Sequence, residues 1–131
     1  MKRKDVDEFE KISGQMQGFY DELSVLSKKS PNDGVNKFKL NFVNKLLNDS
    51  NEFLGEKYRP FEDFDIDDVP INSDVVFILS QYLQCFEKLR ADNVKYKSTN
   101  WYWVIDAEEH EPGDESGKVY IETIRPKRLR E

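Results

Sequence analysis

Apolar positions in the first part of the chain recur every three or four residues, which places side chains along one face of an α-helix. Over about 5–29 this stripe consists of Phe9, Ile12, Met16, Phe19, Leu23 and Leu26. A second, wider apolar pattern predicts a helix over about 31–55, with Ser30 as its N-cap and Pro31 at its first helical position. The short connection predicts that the two helices are antiparallel neighbours.

A third helix is predicted over about 73–92, where Ser73 is a suitable N-cap and an all-apolar run, VVFIL, narrows to a one-sided stripe. Beyond it, the segments NWYWVID and KVYIETI alternate apolar and polar residues, which is typical of strands. They predict a β-hairpin of strands over about 100–106 and 118–124, joined by an acidic loop. The predicted fold is therefore α+β, mainly α, with a three-helix antiparallel bundle followed by a C-terminal β-hairpin.

The length of 131 residues indicates one globular domain, which we expect to span 1–124. The last residues, 125–131, form a basic tail that we expect to be mobile. No stretch is long and apolar enough for a membrane helix, and the single cysteine, Cys85, excludes an internal disulfide. These features predict a cytoplasmic protein with a buried thiol.

Charge is the most distinctive chemical feature of the chain. The net charge is −6, and six carboxylates with no basic residue fall within 61–74. A second group of six lies within 101–117, which includes the predicted hairpin loop. An acidic exterior disfavours nonspecific binding of nucleic acid and attracts basic surfaces. The predicted partner-binding residues are Glu62, Asp63, Asp65, Asp67, Asp68, Glu108, Glu109 and the outward-facing aromatic Tyr102.

Catalytic and metal-binding patterns are weak in this sequence. The spacing of Asp63, Asp65, Asp67 and Asp74 imitates an EF-hand loop, but Asp68 stands where that loop needs glycine. His110 is the only histidine, which excludes a multi-histidine metal site. We therefore predict no catalytic residue, no metal ligand and no cofactor.

The favoured function is a non-enzymatic interaction or regulatory protein that presents its acidic patches to a basic protein partner. One alternative is a nucleic-acid accessory factor that uses the aromatic hairpin and the basic tail. A less favoured alternative is a metal-binding protein or enzyme that uses the Asp-rich segment 61–74. A homodimer is a further option, formed either through the stripe from Phe9 to Leu26 or through the hairpin edge.

Overall fold

A computed structural model of the chain describes residues 1–127 and confirms the α+β, mainly α fold. Three helices precede a three-stranded antiparallel sheet whose strand order is β1-β2-β3. The elements are α1 (Arg3–Lys29), α2 (Lys37–Tyr58), α3 (Asn72–Asn93), β1 (Val94–Lys97), β2 (Asn100–Asp106) and β3 (Lys118–Thr123).

The chain forms two compact units. The helical unit comprises Lys11–Phe86, and the sheet unit combines Met1–Glu10 with Glu87–Glu131. The predicted tail, 125–131, is described only as far as Lys127, and its last four residues lie outside the described residues. Its first residues are held in the sheet unit, because Pro126 is buried and the Lys127 N–H donates to Glu87 Oε2 at 2.9 Å.

The core of the helical unit follows the apolar stripes of the sequence. Within this unit α1 buries Ile12, Met16 and Leu23, and these are part of the predicted stripe. Each helix contributes residues at spacings of three and four, as burial of one helix face requires. The buried residues of α2 and α3 in this unit include Leu40, Val43, Leu46, Leu47, Leu54, Val75, Leu79, Tyr82 and Phe86.

The predicted start of α2 at Pro31 is wrong, since α2 begins at Lys37. Asn36 is its N-cap, and its Oδ1 accepts from the backbone N–H of Phe38 at 2.9 Å. The residues before this cap pair instead with the entry to α3: the Val35 N–H donates to Pro70 O at 3.0 Å, and the Asn72 N–H donates to Asp33 O at 2.9 Å. The hydrogen bonds between residues 33–35 and residues 70–72 therefore decide where α2 begins, and the local N-cap signal at Ser30 does not.

The sheet has one strand more than the predicted hairpin. β1 follows α3 directly and pairs with β2, so that Val94 lies opposite Trp103. The two-residue turn between them, Ser98 and Thr99, has φ values of 50° and 72°. Positive φ at both positions is the geometry of a type I′ turn, which Asn-Gly normally occupies. Ser-Thr carries no such sequence signal, which explains why β1 was not predicted.

The core of the sheet unit surrounds Trp103, which is 1% exposed and meets the Phe9 ring edge-on at a centroid distance of 4.9 Å. Ile105 on the same face of β2 is also buried. Trp101 lies on the same face of β2, because side chains alternate along a strand, but it is only half-buried and packs its ring 5.4 Å from that of Tyr96.

The guanidinium of Arg90, at the end of α3, lies inside this aromatic core. It is 4.9 Å from the ring centroid of Phe9 and 5.3 Å from that of Trp103, within the range of cation–π attraction. The side chain of Arg90 is 5% exposed. A buried charge of this kind requires close counter-charges or acceptors.

Three polar groups meet that requirement for Arg90. Its Nη1 lies 3.4 Å from Glu10 Oε1 on α1 and donates to Thr123 Oγ1 on β3. Its Nε lies 3.6 Å from Glu87 Oε1, one turn earlier on α3. Arg90 thereby connects both helix ends of the sheet unit to two of its strands.

Arg90→Lys should destabilise the protein by about 1–3 kcal/mol although the charge is kept. An ammonium group lacks the planar fork that lies against two rings while reaching acceptors in different directions. Urea denaturation followed by circular dichroism measures the loss. The matched control is Arg3→Lys, which alters an exposed pair with Glu111 and should cost much less. Equal losses in the two variants would contradict this role for Arg90.

Candidate functional site

The acidic segment, residues 61–68, belongs to the helical unit and is attached to it by buried polar groups. Tyr82 is fully buried, and its hydroxyl lies 2.7 Å from Phe61 O and 2.6 Å from Asn51 Oδ1. Asn51 in turn donates from Nδ2 to Glu62 O at 2.9 Å. Burial is the main reason that the pKa of Tyr82 is raised to about 12.

A second anchor holds the middle of the acidic segment. The Asn44 side chain donates from Nδ2 to Phe64 O at 2.8 Å and accepts from the Phe64 N–H at 2.9 Å. The Phe61 and Phe64 rings pack together with centroids 5.0 Å apart. Where Tyr82, Asn51 and Asn44 contact the segment, they bond to its main-chain atoms, so its backbone is fixed while its carboxylates take no part in these bonds.

The carboxylates of this segment are displayed to solvent. Asp65 Oδ1 accepts from the backbone N–H of Asp67 at 2.9 Å, and this hydrogen bond shapes a turn. Glu62 Oε1 lies 3.6 Å from Arg59 Nη2. Within residues 1–127 the four aspartates form no ion pair. All five predicted acidic residues of the segment are exposed: Glu62, Asp63, Asp65, Asp67 and Asp68. They form a rigidly supported negative surface.

The other predicted partner-binding residues, Tyr102, Glu108 and Glu109, belong to the sheet unit. Tyr102 is half-buried on β2, between Lys95 and Glu122 of the neighbouring strands. It lies on the face opposite to buried Trp103, because side chains alternate along a strand.

Glu108 and Glu109 are exposed in the loop 107–117, where they line a shallow cleft with Lys2 and Lys4. Their surroundings are thus of mixed charge, unlike those of the acidic segment.

Most other carboxylates of this second acidic group form ion pairs or accept hydrogen bonds within the sheet unit. Glu111 pairs with Arg3 at 2.6 Å, which lowers the pKa of Glu111, and Asp106 contacts Lys118. Asp114 accepts from the Lys118 N–H and from the Tyr120 hydroxyl, both at 2.9 Å. Such hydrogen bonds stabilise the charged carboxylate and hold the pKa of Asp114 well below its usual range. This loop therefore offers less free negative charge than its composition indicates.

Phe38 and Phe42 on α2 form an exposed aromatic pair that was not predicted from the sequence. They are 71% and 48% exposed, and their rings lie 5.0 Å apart. The buried stripe of α2 runs through Leu40, Val43 and Leu47, which leaves the phenylalanines on the outer side of the helix. The two rings form a small exposed apolar patch, whereas interaction sites are marked by larger contiguous ones.

In residues 1–127, no three His, Cys, Asp or Glu side chains come together in a way that could hold a metal ion. The EF-hand-like spacing of the aspartates is therefore not accompanied by a metal-binding arrangement in this part of the chain.

None of the described helices combines the length and the apolar character needed to cross a membrane. Comparison with family models, with curated proteins and with solved structures gives no match.

Tyr82→Phe should destabilise the protein by about 1–3 kcal/mol near neutral pH, because the buried oxygens Phe61 O and Asn51 Oδ1 would no longer have the Tyr82 hydroxyl as a hydrogen-bond partner. Denaturant titration measures the change. Amide hydrogen exchange in the acidic segment should also become faster. An unchanged exchange rate there would contradict the anchoring role of Tyr82.

The stability difference between the wild type and Tyr82→Phe should depend on pH. Because the pKa of Tyr82 is about 12 in the folded state against 10.0 for an ordinary tyrosine, the unfolded chain loses this proton first. The advantage of the wild type is complete below pH 10 and should fall by about 2–3 kcal/mol as pH rises to 12. Parallel denaturation curves at several alkaline pH values test this, and a constant difference would contradict it.

Proposed function

We propose that the protein is a non-enzymatic interaction or regulatory protein whose acidic segment binds a basic surface of a partner protein. The observation that carries this proposal is the combination of a fixed backbone with free charges. Asn44, Asn51 and Tyr82 hold main-chain atoms of the segment, whereas its four aspartates are exposed and have no ion-pair partner within residues 1–127.

Two physical effects make this arrangement suitable for binding. A surface that is ordered before association loses less conformational entropy on binding than a mobile tail of the same composition. Concentrated charge of one sign also accelerates encounter with an oppositely charged surface and disfavours partners of like charge. The partner should therefore present clustered Lys and Arg side chains.

The sheet unit supplies the observation that favours the alternative function, a nucleic-acid accessory factor. Tyr102 and Tyr120 lie on the same face of adjacent strands, and the Lys97 ammonium lies 4.9 Å from the Tyr120 ring centroid. Aromatic rings beside cations can stack with bases and contact phosphates. The net charge of −6 acts against this alternative, which is why it ranks second.

The proposal predicts that Asp65→Asn, Asp67→Asn and Asp68→Asn together weaken partner binding about tenfold or more without unfolding the protein. Asparagine at position 65 keeps the acceptor that shapes the turn. Affinity capture from the native cell at low salt, with the wild type and the triple variant, should recover a basic protein only with the wild type. Higher salt should release it.

A matched control removes three exposed carboxylates elsewhere in the same unit: Asp49→Asn, Glu52→Gln and Glu56→Gln on α2. This control should retain the partner. If both triple variants lost the partner equally, the change in net charge alone would explain the loss. That result would contradict a specific role of the acidic segment. Tight binding of a single-stranded thymidine oligonucleotide that Tyr102→Ala abolishes would instead support the alternative function.

A further inference from the structure

We propose that the loop 107–117, through the Asp114 carboxylate, prevents β3 from pairing with β3 of a second copy of this chain. The loop and the strand that it protects both belong to the sheet unit. The proposal does not rest on the proposed function of the acidic segment.

The two edge strands of the sheet differ in their own resistance to such pairing. β1 is four residues long and carries the exposed Lys95 and Lys97, and short, lysine-bearing edges resist pairing with other chains. β3 is six residues long, contains no proline and includes Val119, Tyr120 and Ile121, which have high strand propensity. Within residues 1–127, no strand pairs with its outer side. By its composition, β3 is therefore the edge that needs protection.

The loop occupies the outward-facing backbone groups at the start of β3. The Lys118 N–H donates to Asp114 Oδ1 at 2.9 Å, and the Asp114 N–H donates to Lys118 O at 2.9 Å. A neighbouring antiparallel strand would bond to the same N–H and the same carbonyl. A second copy that approaches this end of β3 therefore finds both groups already bonded within the chain.

Little of the outer edge remains beyond Lys118. Backbone groups alternate in direction along a strand, so Tyr120 and Glu122 are the other residues of β3 that direct N–H and C=O away from β2. Past the strand the chain returns to α3, where the Lys127 N–H donates to Glu87 Oε2 at 2.9 Å. Two outward-facing residues offer too short a ladder for stable association, since even a complete two-stranded hairpin is marginal in water.

One carboxylate holds the loop in this position. Besides the Lys118 N–H, Asp114 Oδ1 accepts from the Ser116 N–H at 2.9 Å and from the Ser116 hydroxyl at 2.8 Å. Asp114 Oδ2 accepts from the Tyr120 hydroxyl at 2.9 Å, which ties the loop to the middle of β3. Loss of the carboxylate removes all of these bonds and frees the Lys118 N–H for another acceptor.

Close backbone packing beside Asp114 provides an independent means of displacing the loop. A Cβ atom added to Gly113 would lie 2.9 Å from the carbonyl carbon of Gly117 and 3.1 Å from Ala107 Cβ. Gly117 O accepts the Ala107 N–H at 2.9 Å, and this bond closes the base of the loop. Gly113→Ala must therefore shift the loop while the Asp114 carboxylate is still present.

The stripe on α1 is the other dimer surface that the sequence offers, and it is occupied within the chain. Phe9, Ile12, Met16 and Leu23 of this stripe are 0–2% exposed. With the hairpin edge protected by the loop as well, we expect the wild type to be a monomer.

Sedimentation velocity of the full chain over micromolar to millimolar concentrations tests the proposal. The wild type should remain monomeric, whereas Asp114→Ala should associate with a dissociation constant at least about tenfold lower. Asp114→Asn keeps one acceptor oxygen and should associate less than Asp114→Ala. Glu115→Ala, the matched control, removes the adjacent exposed carboxylate and should remain monomeric.

Gly113→Ala tests the role of the loop even if Asp114→Ala fails to fold. It should also associate, whereas Gly14→Ala on α1, where the added Cβ meets open space, should not. Circular dichroism of the same samples distinguishes association of the folded chain from unfolding.

A second substitution tests whether the association uses the outer edge of β3. Adding Glu122→Pro to Asp114→Ala removes an outward-facing N–H, and edge strands tolerate proline on this side, so the monomer should be restored. The proposal would be overturned if the wild type associated as strongly as Asp114→Ala, or if Asp114→Ala and Gly113→Ala were both folded monomers. Association that persists with Glu122→Pro would also overturn it.

Discussion

The sheet unit depends on the burial of one cation, the guanidinium of Arg90. Two helix ends and two strands meet at this group, which lies against the Phe9 and Trp103 rings and close to Glu10 and Glu87. A buried charge tolerates little displacement of its partners, since each one lost leaves the cation less compensated. The apolar core alone would permit the sheet to slide on the helix ends, whereas the directional contacts of a planar cation define one arrangement.

Local sequence patterns account for the helices and for β2 and β3, and they fail where distant backbone groups decide the structure. Ser30 and Pro31 form a sound helix start by local criteria, yet residues 33–35 pair with residues 70–72. Pairing across some forty residues leaves no trace in the periodicity of either segment. β1 was missed for a related reason, because Lys95 and Lys97 have low strand propensity and the Ser98-Thr99 turn departs from the usual residues.

In the candidate site too, the composition of the sequence locates a segment, whereas contacts with distant residues determine how that segment is held. The run of carboxylates in the sequence locates the acidic segment, but the support of this segment by Asn44 and Tyr82 depends on contacts across about twenty residues. The hairpin loop is equally acidic in sequence, and only the structure shows that Arg3, 108 residues before Glu111, neutralises part of its charge. Acidic composition therefore identifies both segments in the sequence, whereas only the structure shows that the carboxylates of the loop have more cationic neighbours than those of the acidic segment.

The anchors of the acidic segment have an evolutionary consequence. Tyr82, Asn51 and Asn44 bond to main-chain atoms of Phe61, Glu62 and Phe64, which any residue other than proline can supply. The exposed side chains of the segment can therefore be exchanged with little effect on the fold. Under the proposed function, specificity for a basic partner would diverge by single substitutions at these exposed positions, without a change in the anchors.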